Sequence, residues 1–165
     1  MTPEFSRPIR LEAIGAAGLA CRVRAAPGEL HAVATRLGVP EMLALVCRLR
    51  LSNAEGGVVI AEGRLNARVM RECVVCLDPF ESTISARFRV RFVPAGQESG
   101  NEDPESDDEL PYAGGVIDIG EAVVEQLALD LDPYPRKPGA EFSGIDDTAP
   151  GSAFAGLAAR REDKP

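Results

Sequence analysis

The chain has no tryptophan, one histidine and only 5% aromatic residues. Its core must therefore come from Val, Leu, Ile and Ala, and it has few rings on which unpaired bases could stack. No run of 18 apolar residues occurs, so no segment reads as a membrane span. No apolar signal segment follows Met1-Thr2-Pro3-Glu4-Phe5-Ser6-Arg7. Without that signal, the four unevenly spaced cysteines read as reduced thiols, and the expected location is cytoplasmic. Catalytic groupings are missing too. His31 lies off the apolar stripe of its segment, no glycine-rich loop is built to cradle phosphate, and no carboxylate pair flanks a pocket signal. The expectation is a protein that is not an enzyme and carries no cofactor.

A length of 165 residues suits one domain. The 45% apolar content suffices for a core, while 13 Pro and 16 Gly imply that part of the chain stays outside it. The net charge of −8 hides an asymmetry: residues 1–94 sum to +4 and residues 95–165 to −12. The first part can therefore meet phosphates locally although the whole chain is acidic.

Periodicity gives the elements. Phe5 to Ile14 reads as extended, with Pro8 limiting its pairing, and Leu19–Ala25 as a short strand. Pro27 opens a helix over about 28–37, with Leu30, Val33, Ala34 and Leu37 on one face and Gly38 as its stop. From Met42 the period becomes two, with Leu43, Leu45, Cys47, Leu49 and Leu51 on one side. A turn at Asn53–Gly57 leads into a second strand from Val58 to about Cys73, bent at Gly63. A third runs from Thr83 to Val93, with Ile84, Ala86, Phe88, Val90 and Phe92 alternating with Ser85, Arg87, Arg89 and Arg91. Residues 95–111 are acidic and read as a disordered loop. Asp118 caps a second helix over 118–131, with Glu121 at the capping-box distance. The expected fold is α+β: a small antiparallel meander packed against two helices, spanning 5–142 with the acidic loop 95–111 inserted. A flexible tail, 143–165, follows, with a nascent helix at Ala153–Arg161.

Two constellations carry chemistry. Cys73-Val74-Val75-Cys76 sits at a turn. Such a pair can be half a zinc site, a redox dithiol or two small turn residues, and a second pair of metal ligands is missing. Cys73 and Cys76 are thus weak metal candidates. The arginines say more. Arg48, Arg50, Arg64, Arg68, Arg87, Arg89 and Arg91 all fall opposite the apolar face of the expected sheet. Like charges across strands cost stability. Either the chain's own carboxylates, such as Glu121, Glu125 and the acidic loop, neutralise them, or the face meets RNA phosphates or an acidic protein surface.

Three segments resemble one family. They are Phe5-Ser6-Arg7-Pro8-Ile9-Arg10-Leu11; Gly63-Arg64-Leu65-Asn66-Ala67-Arg68-Val69 followed by Cys73-Val74-Val75-Cys76-Leu77-Asp78-Pro79-Phe80; and Ile117-Asp118-Ile119-Gly120-Glu121 continuing to Leu129. In this order, with an acidic loop between the last two, the chain is similar to the YceD family, bacterial proteins linked to accumulation of large-subunit ribosomal RNA. The resemblance implies a non-enzymatic ribosome-biogenesis role supporting synthesis, processing or stability of 23S rRNA. The expected partner is ribosomal precursor rRNA or a basic ribosomal protein, with no membrane involved. Arg64, Arg68, Arg87, Arg89 and Arg91, singled out by their spacing, are the candidate RNA- or partner-binding residues, and the −12 half of the chain is the surface that a basic ribosomal protein would recognise. A zinc-binding or thiol-redox module at Cys73 and Cys76 is the alternative. Many family members have further cysteines just after the helix, which could complete a zinc site; here 131–138 reads Leu-Asp-Pro-Tyr-Pro-Arg-Lys-Pro.

Overall fold

Alternation of period two runs through the longest elements of the chain, and it builds one five-stranded sheet. The computed structural model describes residues 4–99 and 107–141. In chain order the elements are β1 (Pro8–Arg10), β2 (Leu19–Arg24), α1 (Pro27–Leu37), β3 (Glu41–Asn53), β4 (Val59–Glu72), β5 (Pro79–Pro94), β6 (Asp108–Tyr112), β7 (Val116–Asp118) and α2 (Ile119–Asp130). The sheet order is β2-β3-β4-β5-β6, and β1 pairs with β7 apart from it. The fold is α+β, as the sequence predicts. No helix among the described residues is long and apolar enough to cross a membrane.

β2 to β5 form an antiparallel meander. Its inward residues, among them Leu45, Cys47, Leu65, Ala67 and Val90, are buried in one core with Val33 and Ala34 of α1 and Val123, Val124 and Leu127 of α2. Full burial of each large aliphatic side chain contributes about 1.5–3 kcal/mol. Helix α1 ends where the sequence predicts, at Gly38 in the left-handed region. His31 is exposed on it.

Several expectations are corrected. Gly63 does not bend β4, which pairs without interruption on both sides there. It faces Phe88 across the ladder, and a Cβ at position 63 would lie 2.2 Å from that ring. The glycine makes room for an aromatic neighbour instead of turning the strand. The irregularity sits in β3, between Met42 and Ala44. It places Met42 in the core and leaves Leu43 half-buried. The acidic segment is shorter than 95–111, because Asp108–Tyr112 forms β6. This strand runs parallel to β5, so the sheet is not a pure antiparallel meander. Leu110 and Tyr112 pack against the core, and an edge strand tolerates Pro111. The opening segment pairs only briefly, as β1 of three residues beginning at Pro8 opposite Asp118. The expected disorder at 100–106, the flexible tail and the nascent helix at Ala153–Arg161 lie outside the described residues.

Asp118 joins these pieces. Its carboxylate accepts the N–H groups of Gly120 at 2.9 Å and Glu121 at 3.2 Å, capping α2. It also accepts the Arg7 N–H at 2.7 Å and the Ser6 hydroxyl. The reciprocal half of the expected capping box is absent, because Glu121 turns instead to Arg36 of α1 at 2.5 Å. Gly120 lets the opening segment approach, since a Cβ there would stand 2.2 Å from the Phe5 carbonyl oxygen. Asp118→Ala removes the cap and leaves the Ser6 and Arg7 donors unpaired, so it should cost about 1–3 kcal/mol. Urea denaturation followed by circular dichroism measures this, and Asp118→Asn should lose less because its amide oxygen still caps.

Candidate functional site

With both helices packed on the apolar side, the other face of the sheet has no helix over it among the described residues. Strand register then decides which side chains meet. Arg22 stands opposite Arg48, Arg48 opposite Arg64, and Arg64 opposite Arg87. One rung of the ladder thus has arginine on four successive strands, all four exposed. At a strand spacing of about 4.8 Å, their backbones span about 14 Å. The next rung sets Arg50 opposite Glu62 and Glu62 opposite Arg89. Around the arginine rung the surface dips into an open trough of about 530 Å³, which Asn66 and Ser85 also line.

The arginines expected to form the site divide into two groups. Arg68 pairs with Glu81 at 2.6 Å, Arg89 with Asp107 at 3.3 Å and Arg91 with Glu109 at 2.9 Å. The Ser99 N–H donates to Glu109 at 2.7 Å, and this bond, more than the nearby Arg91, holds the Glu109 carboxyl below the usual carboxylate range. Arg64 and Arg87, by contrast, make no ion pair with a described residue, and neither do Arg22, Arg24, Arg48 and Arg50. Internal neutralisation therefore applies to the margin of the face and leaves its middle charged. Glu121 takes no part in it, being paired with Arg36 on the helical side. Sequence reasoning passed over Arg22. Its spacing of two from Arg24 was the available signal, but only the pairing of β2 with β3 shows that it completes the rung.

The cysteine pair lies at the β4–β5 turn, far along the same two strands. Cys73 is buried and Cys76 exposed. The Cys73 carbonyl accepts the Leu77 N–H at 2.9 Å, and Leu77 takes a positive φ of 60°. The chain after α2 returns to this turn: the Val74 N–H donates to the Pro135 carbonyl at 2.9 Å, and Arg71 donates to the Asp132 carbonyl. The Lys137 N–H reaches Cys73 Sγ at 3.3 Å, while its ammonium pairs with Asp78 at 3.1 Å. Burial raises the Cys73 thiol, but N–H donors from Lys137, Cys76 and Val75 outweigh it and bring it down to about 7. A tetrahedral zinc does not fit these residues. The returning segment brings Pro135 and Lys137 to the turn, which means a carbonyl, an N–H donor and a positive charge rather than two further thiolates. Among the described residues no three His, Cys, Asp or Glu side chains are grouped to hold a metal.

Two measurements check this geometry. Arg64 has arginine on both sides of it, so Arg64→Gln should raise stability by about 0.5–1 kcal/mol at low salt. In 1 M salt, where the Debye length is about 3 Å, the gain should shrink. At the turn, thiolate absorbance should show one ionisation near pH 7 that Cys73→Ser removes. Because the folded thiol ionises below its unfolded value of about 8.5, its contribution to stability is complete above that value. It is lost as pH falls through 7.

Comparison with known proteins gives one match. The model of the family described as "Large ribosomal RNA subunit accumulation protein YceD" matches residues 61–156, more than half of the chain. No curated protein and no solved structure matches. The matched stretch holds all but the first two residues of β4, with the cysteine turn, β5, the acidic segment, β6, β7 and α2, which include Arg64 and Arg87. The chain belongs to the YceD family, whose description ties it to accumulation of large-subunit ribosomal RNA.

Proposed function

We propose that the protein is a non-enzymatic ribosome-biogenesis factor that supports 23S rRNA accumulation by binding precursor rRNA through the uncovered face of its sheet. The observation that carries this reading is the set of unneutralised arginines, in register across four strands. Such a row opposes folding through like-charge repulsion, and a phosphate ligand relieves that repulsion. Arg64 and Arg87 are the binding residues among those singled out from sequence. Arg68, Arg89 and Arg91, held by their own carboxylates, keep the margin of the face in place. The working unit is residues 5–142, acting in the cytoplasm beside ribosomal precursors, with 143–165 as an appendage. A basic ribosomal protein as partner is the second reading, favoured by the net charge of −12 over residues 95–165.

Cells lacking their own copy of the protein test this. Wild-type protein should restore the ratio of 23S to 16S rRNA and should co-sediment with large-subunit precursors. Arg64→Gln/Arg87→Gln should do neither, although the protein stays folded. The Arg68→Gln/Arg89→Gln/Arg91→Gln variant should retain most of both. Full restoration by the Arg64/Arg87 variant would overturn the reading and leave the acidic half as the partner surface.

A further inference from the structure

The geometry points to base-paired RNA, gripped by its phosphates along the Arg22–Arg48–Arg64–Arg87 rung without reading of sequence, as the ligand of this face. The inference deepens the proposed function and rests on it. Three observations select the ligand class. The first is the rigidity of the array. Each of the four arginines springs from a different strand of one hydrogen-bonded ladder, so their Cα positions are fixed relative to one another. A fixed row of cations suits a polyanion whose charges are themselves fixed. Base-paired helices also have the denser charge, so each neutralised phosphate releases more counterion than on a single strand.

The second observation is what surrounds the row. Proteins that hold single strands stack bases on aromatic platforms. Here Phe88 and Phe92 point into the apolar side of the sheet with Val90, and Phe5 is buried in the core. On one side of the rung lie Arg50, Glu62 and Arg89; on the other lie Asn66 and Ser85, the Ser85 hydroxyl already donating to Asn66 Oδ1 at 2.8 Å. That pair offers polar contact to a backbone and no ring for a base. The third observation is the boundary. Arg68 on one flank and Arg89 and Arg91 on the other are paired with Glu81, Asp107 and Glu109. The unpaired positive charge is therefore densest along the line that crosses the strands, with Arg50 beside it in register with Glu62, while the ion pairs at the edges leave the margins close to neutral.

Binding of the purified full chain to a fluorescent 20-base-pair RNA duplex, and to one of its strands alone, tests the assignment. Four phosphate contacts to a helical nucleic acid predict a slope of about −3.6 for log K against log salt. That corresponds to about a 150-fold loss of affinity between 50 and 200 mM salt. The duplex should bind at least tenfold more tightly than the single strand, and shuffling its sequence should change nothing. The Arg22→Gln/Arg48→Gln/Arg64→Gln/Arg87→Gln variant should lose most of the affinity and most of the slope. Its thermal midpoint should be unchanged or higher, which separates lost contact from lost fold. The corresponding four Arg→Lys substitutions should keep the slope, and the Arg68→Gln/Arg89→Gln/Arg91→Gln variant should bind within about threefold of wild type. Single-strand binding as tight as duplex binding would overturn the ligand class. An equal loss in the Arg68/Arg89/Arg91 variant would overturn the rung while leaving RNA binding by the face intact. Absence of binding to either RNA at 50 mM salt, with precursor association in cells preserved, would remove RNA contact and with it the proposed function, pointing to a protein partner.

Discussion

The carboxylate of Asp118 is the constraint on which the layering depends. A helix N-terminus needs acceptors for its first N–H groups, and a short two-stranded pair needs something to fix it to the body. One side chain meets both needs, capping α2 while holding the Ser6 hydroxyl and the Arg7 N–H. Arg7 in turn spans to Glu29 at the start of α1, at 2.7 Å and 2.8 Å through two nitrogens. Arg36 near the end of α1 reaches Glu121 of α2 and Glu4 of the opening segment. Two helices distant in sequence are thereby kept on the same side of the sheet. Exposed ion pairs are each worth at most about 1 kcal/mol, so their role is to fix orientation more than to supply stability.

One-sided coverage has an electrostatic result. On the helical side Glu29, Glu4 and Glu121 are paired with Arg7 and Arg36, and around β6 Asp107 and Glu109 are paired with Arg89 and Arg91. On the opposite face Glu62 stands in register between Arg50 and Arg89, and the rung beside it has no carboxylate on its four strands. Natural sheets usually avoid like charges directly opposite one another, so a rung with arginine on four strands points to a requirement other than stability. The proposed contact with RNA phosphate is such a requirement, and the hydrogen-bonded ladder fixes the row of backbones from which the four arginines spring.

Local patterns were legible in the sequence and pairings were not. Alternation located β3, β4 and β5, and Gly38 and Asp118 marked helix ends, because these signals act within a few residues. Gly63 misled, since its role is defined by Phe88 on the next strand, 25 positions away. The strand within the acidic segment was missed because Leu110 and Tyr112 are only two apolar residues; what makes them a strand is the open edge of β5. Alternation showed that the arginines share a face. Which of them are free depends on whether Glu81, Asp107 or Glu109 lies beside them, and that is a matter of register.

The anchoring of the acidic segment at its two ends has a practical side. Ser99, just before residues 100–106, is hydrogen-bonded to Glu109, just after them, and the Gln97 N–H is tied back to Pro94. Entry and exit are thus pinned next to each other on the outer edge of the sheet, whatever lies between. With both flanks held together, added length between them costs only about 0.6 kcal/mol for each doubling. A label inserted genetically between Ser99 and Asp107 would therefore enter the chain where both flanks are held at the sheet edge, beside the Arg89 and Arg91 ion pairs, so that any ligand arriving at the proposed arginine site can be watched as a change in fluorescence.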